Sequence, residues 1–352
     1  MANFEKENIA IEAIASAVPK KREINKENKI FTTIEVEDFI KTTGVEEFRV
    51  APQEVTTSDL AYAAANELFT SSKISRDEID ILIFVSQTPD YLFIPNTAPI
   101  LQHKLGLSMS CMSFDVPLGC SGFVYGLNIA SSLLSNKSLR KALVICGDTP
   151  SKTQYYKDKS VAMLFGDAVS AVILTRSNSD SKISFSMGSD GSGYKAIMIP
   201  DGGYRSPFNS KSLNIEQGED GNYRRACDVV LDGMDVFSFG ITRAPKSVKE
   251  ILTFSNIEIN EIDFFVFHQA NLMMNELIRK KLKIPIEKVP YSIIKYGNTS
   301  SASIPLTIVT ELGPKFSYSN KNILACGFGV GLSWGSMIFK LSNTLILPII
   351  EL

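Results

Sequence analysis

The 352-residue chain is 44% hydrophobic and 21% charged, so it can bury one large core or two modest ones and is not a disordered protein. Its 36 Lys and Arg set against 38 Asp and Glu give a net charge of −2, which argues against nucleic-acid binding, because holding a phosphate backbone takes a basic surface. No apolar run reaches the roughly 20 residues that cross a bilayer, and the start, Met1 to Glu7, lacks the basic-then-apolar pattern of a signal peptide.

A cytoplasmic protein without membrane insertion is therefore expected. Its five cysteines, Cys111, Cys120, Cys146, Cys227 and Cys326, contain no CxxC pair and fit neither a disulfide framework nor a zinc site, so no metal is expected. There are only two histidines, His103 and His268, to supply any imidazole chemistry.

In chain order, Leu60 to Leu68 has helical character after a Thr56-Thr-Ser-Asp59 start able to cap it. The polar turn Ile74-Ser-Arg-Asp-Glu-Ile-Asp80 feeds the apolar run Ile81 to Val85, which reads as a buried strand. His103 lies in the amphipathic Leu101-Gln-His-Lys-Leu105 and reads as solvated. Ser113 to Val116 reads as a short strand, Pro117 to Gly119 as a bend, and Phe123 to Leu134 as a helix with one apolar side. Then the signals repeat. Val236 to Leu252 has helical spacing, Ile257-Glu-Ile-Asn-Glu-Ile-Asp263 leads into Phe264 to Phe267, and Ile323-Leu-Ala-Cys-Gly327 matches Ala142-Leu-Val-Ile-Cys-Gly147. The step from Glu78 to Cys146 is 68 positions and that from Glu261 to Cys326 is 65, an order and spacing that mark an internal duplication. Strands alternating with helices predict parallel-rich sheets covered on both faces. Two similar α/β halves follow, residues 1–175 and 176–352. The polar, glycine-rich stretch from Asp201 to Asp228 reads as a long excursion, a functional cover or a mobile loop.

Cys120 falls at a helix start, where unpaired N–H groups and the positive dipole end favour a thiolate, the nucleophilic form. The other reading is a small buried hydrophobe. Cys111, Cys146 and Cys227 lack that setting and read as structural. His268 closes the run Phe264 to Phe267, at the carboxyl end of a buried strand, where α/β sheets gather their sites; a hydrogen-bonded core histidine fits the same place. Asn298 follows the strand-like Tyr291 to Ile294, in the cluster Tyr296-Gly-Asn-Thr-Ser-Ser-Ala-Ser303, and reads as a fixed amide donor or a turn residue. Gly327-Phe-Gly-Val-Gly-Leu-Ser-Trp-Gly335 fails the GxGxxG nucleotide pattern. It suits backbone donors for an oxyanion, or a bulged strand before Trp334 to Leu341. A helix after Asn271 ends in Arg279-Lys-Lys-Leu-Lys283, cations that suit the helix dipole, solvent or an acidic partner beside the site.

Six segments, in this order, resemble the β-ketoacyl-acyl carrier protein synthase III family of the thiolase superfamily. They are Phe114-Asp-Val-Pro-Leu-Gly-Cys-Ser-Gly-Phe123, Phe165-Gly-Asp-Ala-Val-Ser-Ala171, Leu231-Asp-Gly-Met-Asp-Val-Phe237, His268-Gln-Ala-Asn271, Tyr296-Gly-Asn-Thr-Ser300 and Gly327 to Ser336. The resemblance implies a five-layered αβαβα thiolase fold, a homodimer, no cofactor, and a Cys-His-Asn triad on Cys120, His268 and Asn298. Related synthases with two catalytic histidines are excluded, because no histidine stands near Asn298. The implied reaction loads an acyl group from a thioester onto Cys120, whose own N–H and that of Val330 hold the oxyanion. Malonyl-acyl carrier protein then loses CO2, and His268 and Asn298 donate hydrogen bonds to the resulting enolate, which attacks the acyl group. Arg279, Lys280 and Lys281 are the implied carrier-facing cations.

Two departures weaken the case for acetyl-coenzyme A as donor. Thr42 and Met273 stand where the family's primer synthases commonly carry arginine, so another coenzyme A ester or a carrier-bound acyl group fits as well. The chain also continues past the family's usual final strand, through Asn343 to Leu352. Two other functions compete: a non-decarboxylating acyltransferase that passes the acyl group to a hydroxyl or amine, and a carrier-binding scaffold that carries no adduct. A thiolase reading with Cys326 as second thiol is disfavoured by its register against Gly329-Val-Gly331.

Overall fold

The apolar runs become strands whose side chains alternate between two buried faces. The computed structural model describes residues 1–177, 181–313 and 320–352. Its first strands are β1 (Ala2–Glu7), β2 (Ile9–Val18), β3 (Ile79–Val85), β4 (Met112–Val116), β5 (Lys141–Asp148) and β6 (Ala168–Arg176). There follow β7 (Lys182–Ser189), β8 (Phe264–Phe267), β9 (Lys321–Gly329), β10 (Ser333–Leu341) and the short β11 (Leu345–Ile346) and β12 (Ile350–Glu351). One sheet has the order β11-β2-β6-β5-β3-β4, with β12 also on β2; the other has the order β1-β7-β10-β9-β8. The duplicated signals land on matching strands. β3 is parallel to β5 as β8 is to β9, and β6 and β10 run antiparallel to β5 and β9.

The helices that matter here are α1 (Thr33–Thr43), α2 (Thr57–Ser71), α3 (Gly122–Leu134), α4 (Gly233–Ser255) and α5 (Leu272–Lys281). Period-two alternation sorts each strand between layers. Ile81, Ile83 and Val85 face inward with Val266, Ala325 and Met337 of the other sheet, onto α3 and the helical segment 303–312. Leu82 and Phe84 face outward onto Leu60 and Leu68 of α2, and Phe265, Phe267 and Leu324 face outward onto Val248 of α4 and Ile278 of α5. The result is the expected five-layered αβαβα stack. Among the described residues, no helix is long and apolar enough to cross a membrane.

Two expectations change. Tyr291 to Ile294 is not a strand: Ile293–Tyr296 forms a helical turn. Buried Gln269 accepts hydrogen bonds from the N–H groups of Ser292 and Ile293 at 3.2 and 3.3 Å, and this contact curls the segment away from the sheet. The chain ends also cross between sheets. β1 pairs with β7 in the second sheet, and β11 and β12 pair with β2 in the first, so a division at residue 175 follows the repeat but not the membership of the termini.

The tail from Asn343 to Leu352 thereby gains an account. It covers the edge of β2 and brings Glu351 to the Arg49 guanidinium at 2.7 Å, a side chain only 4% exposed. Deleting residues 343–352 removes that carboxylate, uncovers the edge of β2 and loses the burial of Leu347, about 2 kcal/mol. The thermal unfolding midpoint is expected to fall by on the order of 5 °C. An unchanged midpoint by scanning calorimetry would show the tail to be dispensable.

Candidate active site

Cys120 sits between β4 and α3, behind the bend after Val116. The following helix presses so close to β3 that a Cβ on Gly122 would lie 2.6 Å from a Val85 methyl. From the other sheet, β9 brings Gly329 equally near the sulfur. Its φ is +154°, and a Cβ there would stand 2.7 Å from Cys120 Sγ, so only glycine fits. The Val330 backbone, the residue's own backbone and the Ser300 hydroxyl favour ionisation of the sulfur. Burial outweighs them and pushes the thiol up to about 11, and the nearby Asp148 adds to the rise. The resting side chain is a thiol, not the thiolate expected from a helix start. Desolvation of a sulfur closed in by both sheets exceeds the one to two kcal/mol, roughly, that a helix end supplies.

His268 follows β8, with its N–H on the Cys326 carbonyl at 2.8 Å and its ring edge-on to Phe328 at 5.6 Å. Nδ1 is 2.7 Å from Ser303 Oγ, and the ring lines the cavity beside the Ser300 backbone. Burial pushes its pKa down to about 3, so the imidazole is neutral.

Asn298 is clamped through its backbone. Its N–H donates to the Leu164 carbonyl at 2.9 Å and its carbonyl accepts from Gly166 N–H at 3.1 Å. Its side-chain oxygen accepts from Ser300 N–H at 3.0 Å, which leaves the amide NH2 as the free donor. Phe165-Gly-Asp-Ala-Val-Ser-Ala171 thus serves this residue. Asp167 pins the segment by accepting from Ala51 N–H at 2.7 Å and Ser151 N–H at 3.0 Å, and burial lifts its carboxyl to about 6.

All three side chains line one cavity of about 320 Å³. Its apolar wall includes Leu164, Phe165 and Phe328, together with Ile197, Met198 and Leu231 of the strand pair that forms the stem of the long excursion. The excursion therefore contributes to the site through its base. Among the described lining residues Asp148 alone has a carboxyl group, and burial raises its pKa. That residue, Ser300, Ser303 and Gln269 are the neighbours that sequence reasoning missed. Asp148 had a signal, since it ends a buried strand at the carboxyl edge.

The other candidates are placed as follows. Cys111, Cys146 and Cys326 are buried, and Cys326 packs outward with Phe265 and Leu324, away from the cavity. His103 is exposed on a separate short helix. Arg279 is committed, gripping Glu276 through Nε at 2.8 Å and Nη2 at 2.7 Å and giving Nη1 to the Ile284 carbonyl. Lys280 and Lys281 are exposed, although Lys281 Nζ reaches the Ile241 carbonyl at 3.2 Å. Thr42 and Met273 are both exposed, on neighbouring helix ends that meet where Gly44 abuts Leu272.

Two α/β halves closing a thiol, an imidazole and a carboxamide into one apolar cavity define a thiolase-fold condensing enzyme. Residues 114–191 match the family model 3-oxoacyl-[acyl-carrier-protein] synthase III, and residues 252–341 match the model of its C-terminal part. The chain is 35% identical over 331 residues to β-ketoacyl-[acyl-carrier-protein] synthase III 2 of Halalkalibacterium halodurans, covering 94% of this chain and 96% of that one. It is 35% identical over 312 residues to the synthase III of Clostridium tetani, covering 86% and 90%. A crystal structure of a 3-oxoacyl-(acyl-carrier protein) synthase from Burkholderia xenovorans superposes with a TM-score of 0.93 at 35% identity, over 100% of this chain and 99% of that one. The chain belongs to the β-ketoacyl-acyl carrier protein synthase III family.

Proposed function

We propose that the protein condenses an acyl thioester with malonyl-acyl carrier protein, releasing CO2 and a β-ketoacyl-acyl carrier protein, as a transferase of fatty acid synthesis. The observation that carries this reading is the convergence of Cys120, His268 and Asn298 on one cavity, where the imidazole and the carboxamide NH2 serve as the donors. Cys120 attacks the acyl thioester, and the N–H groups of Cys120 and Val330 hold the tetrahedral oxyanion. A Ser303 hydroxyl that donates to Nδ1 puts the His268 proton on Nε2. It and the Asn298 amide then hold the malonyl thioester oxygen as charge arrives from the departing carboxylate. No proton has to be removed, so a neutral imidazole suits the step. Paired free donors have no task in plain acyl transfer to a hydroxyl, which favours condensation over that alternative.

Lys280 and Lys281, at the end of α5, are the proposed carrier-facing cations; Arg279 is spent on Glu276. The uncharged Thr42 and Met273 favour donors other than acetyl-coenzyme A. Incubation with malonyl-acyl carrier protein and a panel of acyl thioesters, reading the mass added to Cys120 and the CO2 released, tests the whole assignment. Adducts on Cys120 without CO2 would return the reading to acyl transfer.

A cytoplasmic homodimer is the proposed working form. The apolar stretch Tyr91 to Ile94 supports it, with Ile94 84% exposed on a single chain. Light scattering is expected to return twice the chain mass, and a single chain mass would refute the dimer.

A further inference from the structure

We propose that Gln87 selects the acyl donor, favouring chains that carry a hydroxyl one or two carbons beyond the thioester carbonyl over plain alkyl chains. The inference rests on the role proposed above for Cys120 and adds to it the chemical class of the acyl group. Gln87 stands two residues after β3, and its backbone N–H is fixed on Asp148 Oδ1 at 2.6 Å. Its side chain lines the same cavity as the sulfur. It packs on the residue before Cys120: a Cβ on Gly119 would stand 2.7 Å from Gln87 Oε1 and 2.8 Å from a Val330 methyl. Glycine at 119 thus leaves the space that the carboxamide fills, between the chain entering Cys120 and the residue proposed to hold the acyl oxygen.

The Gln87 amide differs from the other polar groups of the wall in being unspent. Of the other carboxamides that line the cavity, Asn271 uses its oxygen to accept the Met274 N–H at 2.7 Å at the start of α5, and Asn298 accepts the Ser300 N–H at 3.0 Å. The lining hydroxyls of Thr88 and Thr153 are committed too. Thr88 Oγ1 accepts from Thr149 N–H at 2.8 Å, and Thr153 Oγ1 donates to the Pro150 carbonyl at 3.0 Å. Among the described residues, neither the oxygen nor the NH2 of the Gln87 side chain has a hydrogen-bond partner.

An alkyl chain laid against such a group takes water from both ends of the amide and returns no hydrogen bond, which costs free energy. A hydroxyl returns one, either donating to the oxygen or accepting from the NH2, so it suits either orientation of the carboxamide. A keto oxygen can only accept. Packing fixes the position of the hydroxyl along the chain. With the acyl carbon on the sulfur and its oxygen on the N–H groups of Cys120 and Val330, the atoms within reach of a side chain seated on Gly119 and Val330 are the next two carbons. The apolar wall of Leu164, Phe165, Ile197 and Leu231 takes the remainder of the chain.

Single-turnover loading of the full-length protein from S-butyryl-N-acetylcysteamine and from its 2-hydroxy and 3-hydroxy counterparts, read as mass added to Cys120, tests the selection. The unmodified protein is expected to load one of the hydroxy esters about 10-fold faster than the butyryl ester. Gln87→Met keeps the length of the side chain without its donor, and is expected to erase that preference while butyryl loading does not fall. Each protein serves as its own reference, so a loss of active material leaves the ratio unchanged. Equal rates for the three esters, or a preference that survives in Gln87→Met, overturns the proposal. A preference lost together with a change in assembly mass by light scattering assigns Gln87 to a contact between copies and overturns it as well. If none of the esters adds mass to Cys120, the underlying assignment fails instead.

Discussion

Cys120→Ala is expected to take up no acyl group from any thioester, with loading lower by on the order of 10⁴-fold or more. The expectation is strong because no other thiol can stand in. Cys111 and Cys146 are buried, burial pushes the Cys326 thiol up to about 12, and that side chain faces the outer helices. Cys227 is half-buried and does not line the cavity. Truncation at Cys120 also leaves His268 and Asn298 untouched. Malonyl-acyl carrier protein is therefore expected to go on losing CO2 slowly in the variant, with acetyl rather than β-ketoacyl carrier protein as product. Mass spectrometry of protein and carrier reads both outcomes. Covalent acyl mass retained by Cys120→Ala would mean that the nucleophile lies elsewhere.

The parts of this molecule legible in the sequence are those governed by local rules. Alternation in Ile81 to Val85 and Phe264 to Phe267 marks strands buried on both faces, and the repeat from Glu78 to Cys146 and from Glu261 to Cys326 places matching strands in two sheets. Cys120 and His268 stand out because each lies at the end of an element, where backbone groups and cavities concentrate. What escaped is set by distant partners. The strand expected at Tyr291 to Ile294 yields to Gln269, a side chain more than twenty positions away. The exchange of chain ends depends on which sheet edge is open, which no local pattern records. The expected thiolate follows from helix position alone, and loses to desolvation by Gly329 and its neighbours from the opposite sheet.

His268→Ala and Asn298→Ala are expected to spare acyl loading and slow CO2 release, each by on the order of 10²–10³-fold. The split follows from geometry. Neither side chain is among the groups that shift the Cys120 thiol, whereas each lines the cavity where the malonyl thioester must sit. A donor aimed at an oxygen that gains charge only as the carboxylate leaves stabilises the transition state more than the bound substrate, so its loss falls on the rate and not on binding. The two donors share one oxygen, so the double variant should lose less than the product of the single losses. The histidine adds a pH test with a definite sign. A protonated imidazole as the active form would make CO2 release fall as pH rises past its ordinary value near 6.5. With the pKa held down at about 3, the neutral donor persists, and release from the acyl-enzyme should stay flat from about pH 5 to 8. A falling limb in that window, or variants in which loading and CO2 release decline together, would remove His268 and Asn298 from the enolate and leave them as supports of the cavity wall.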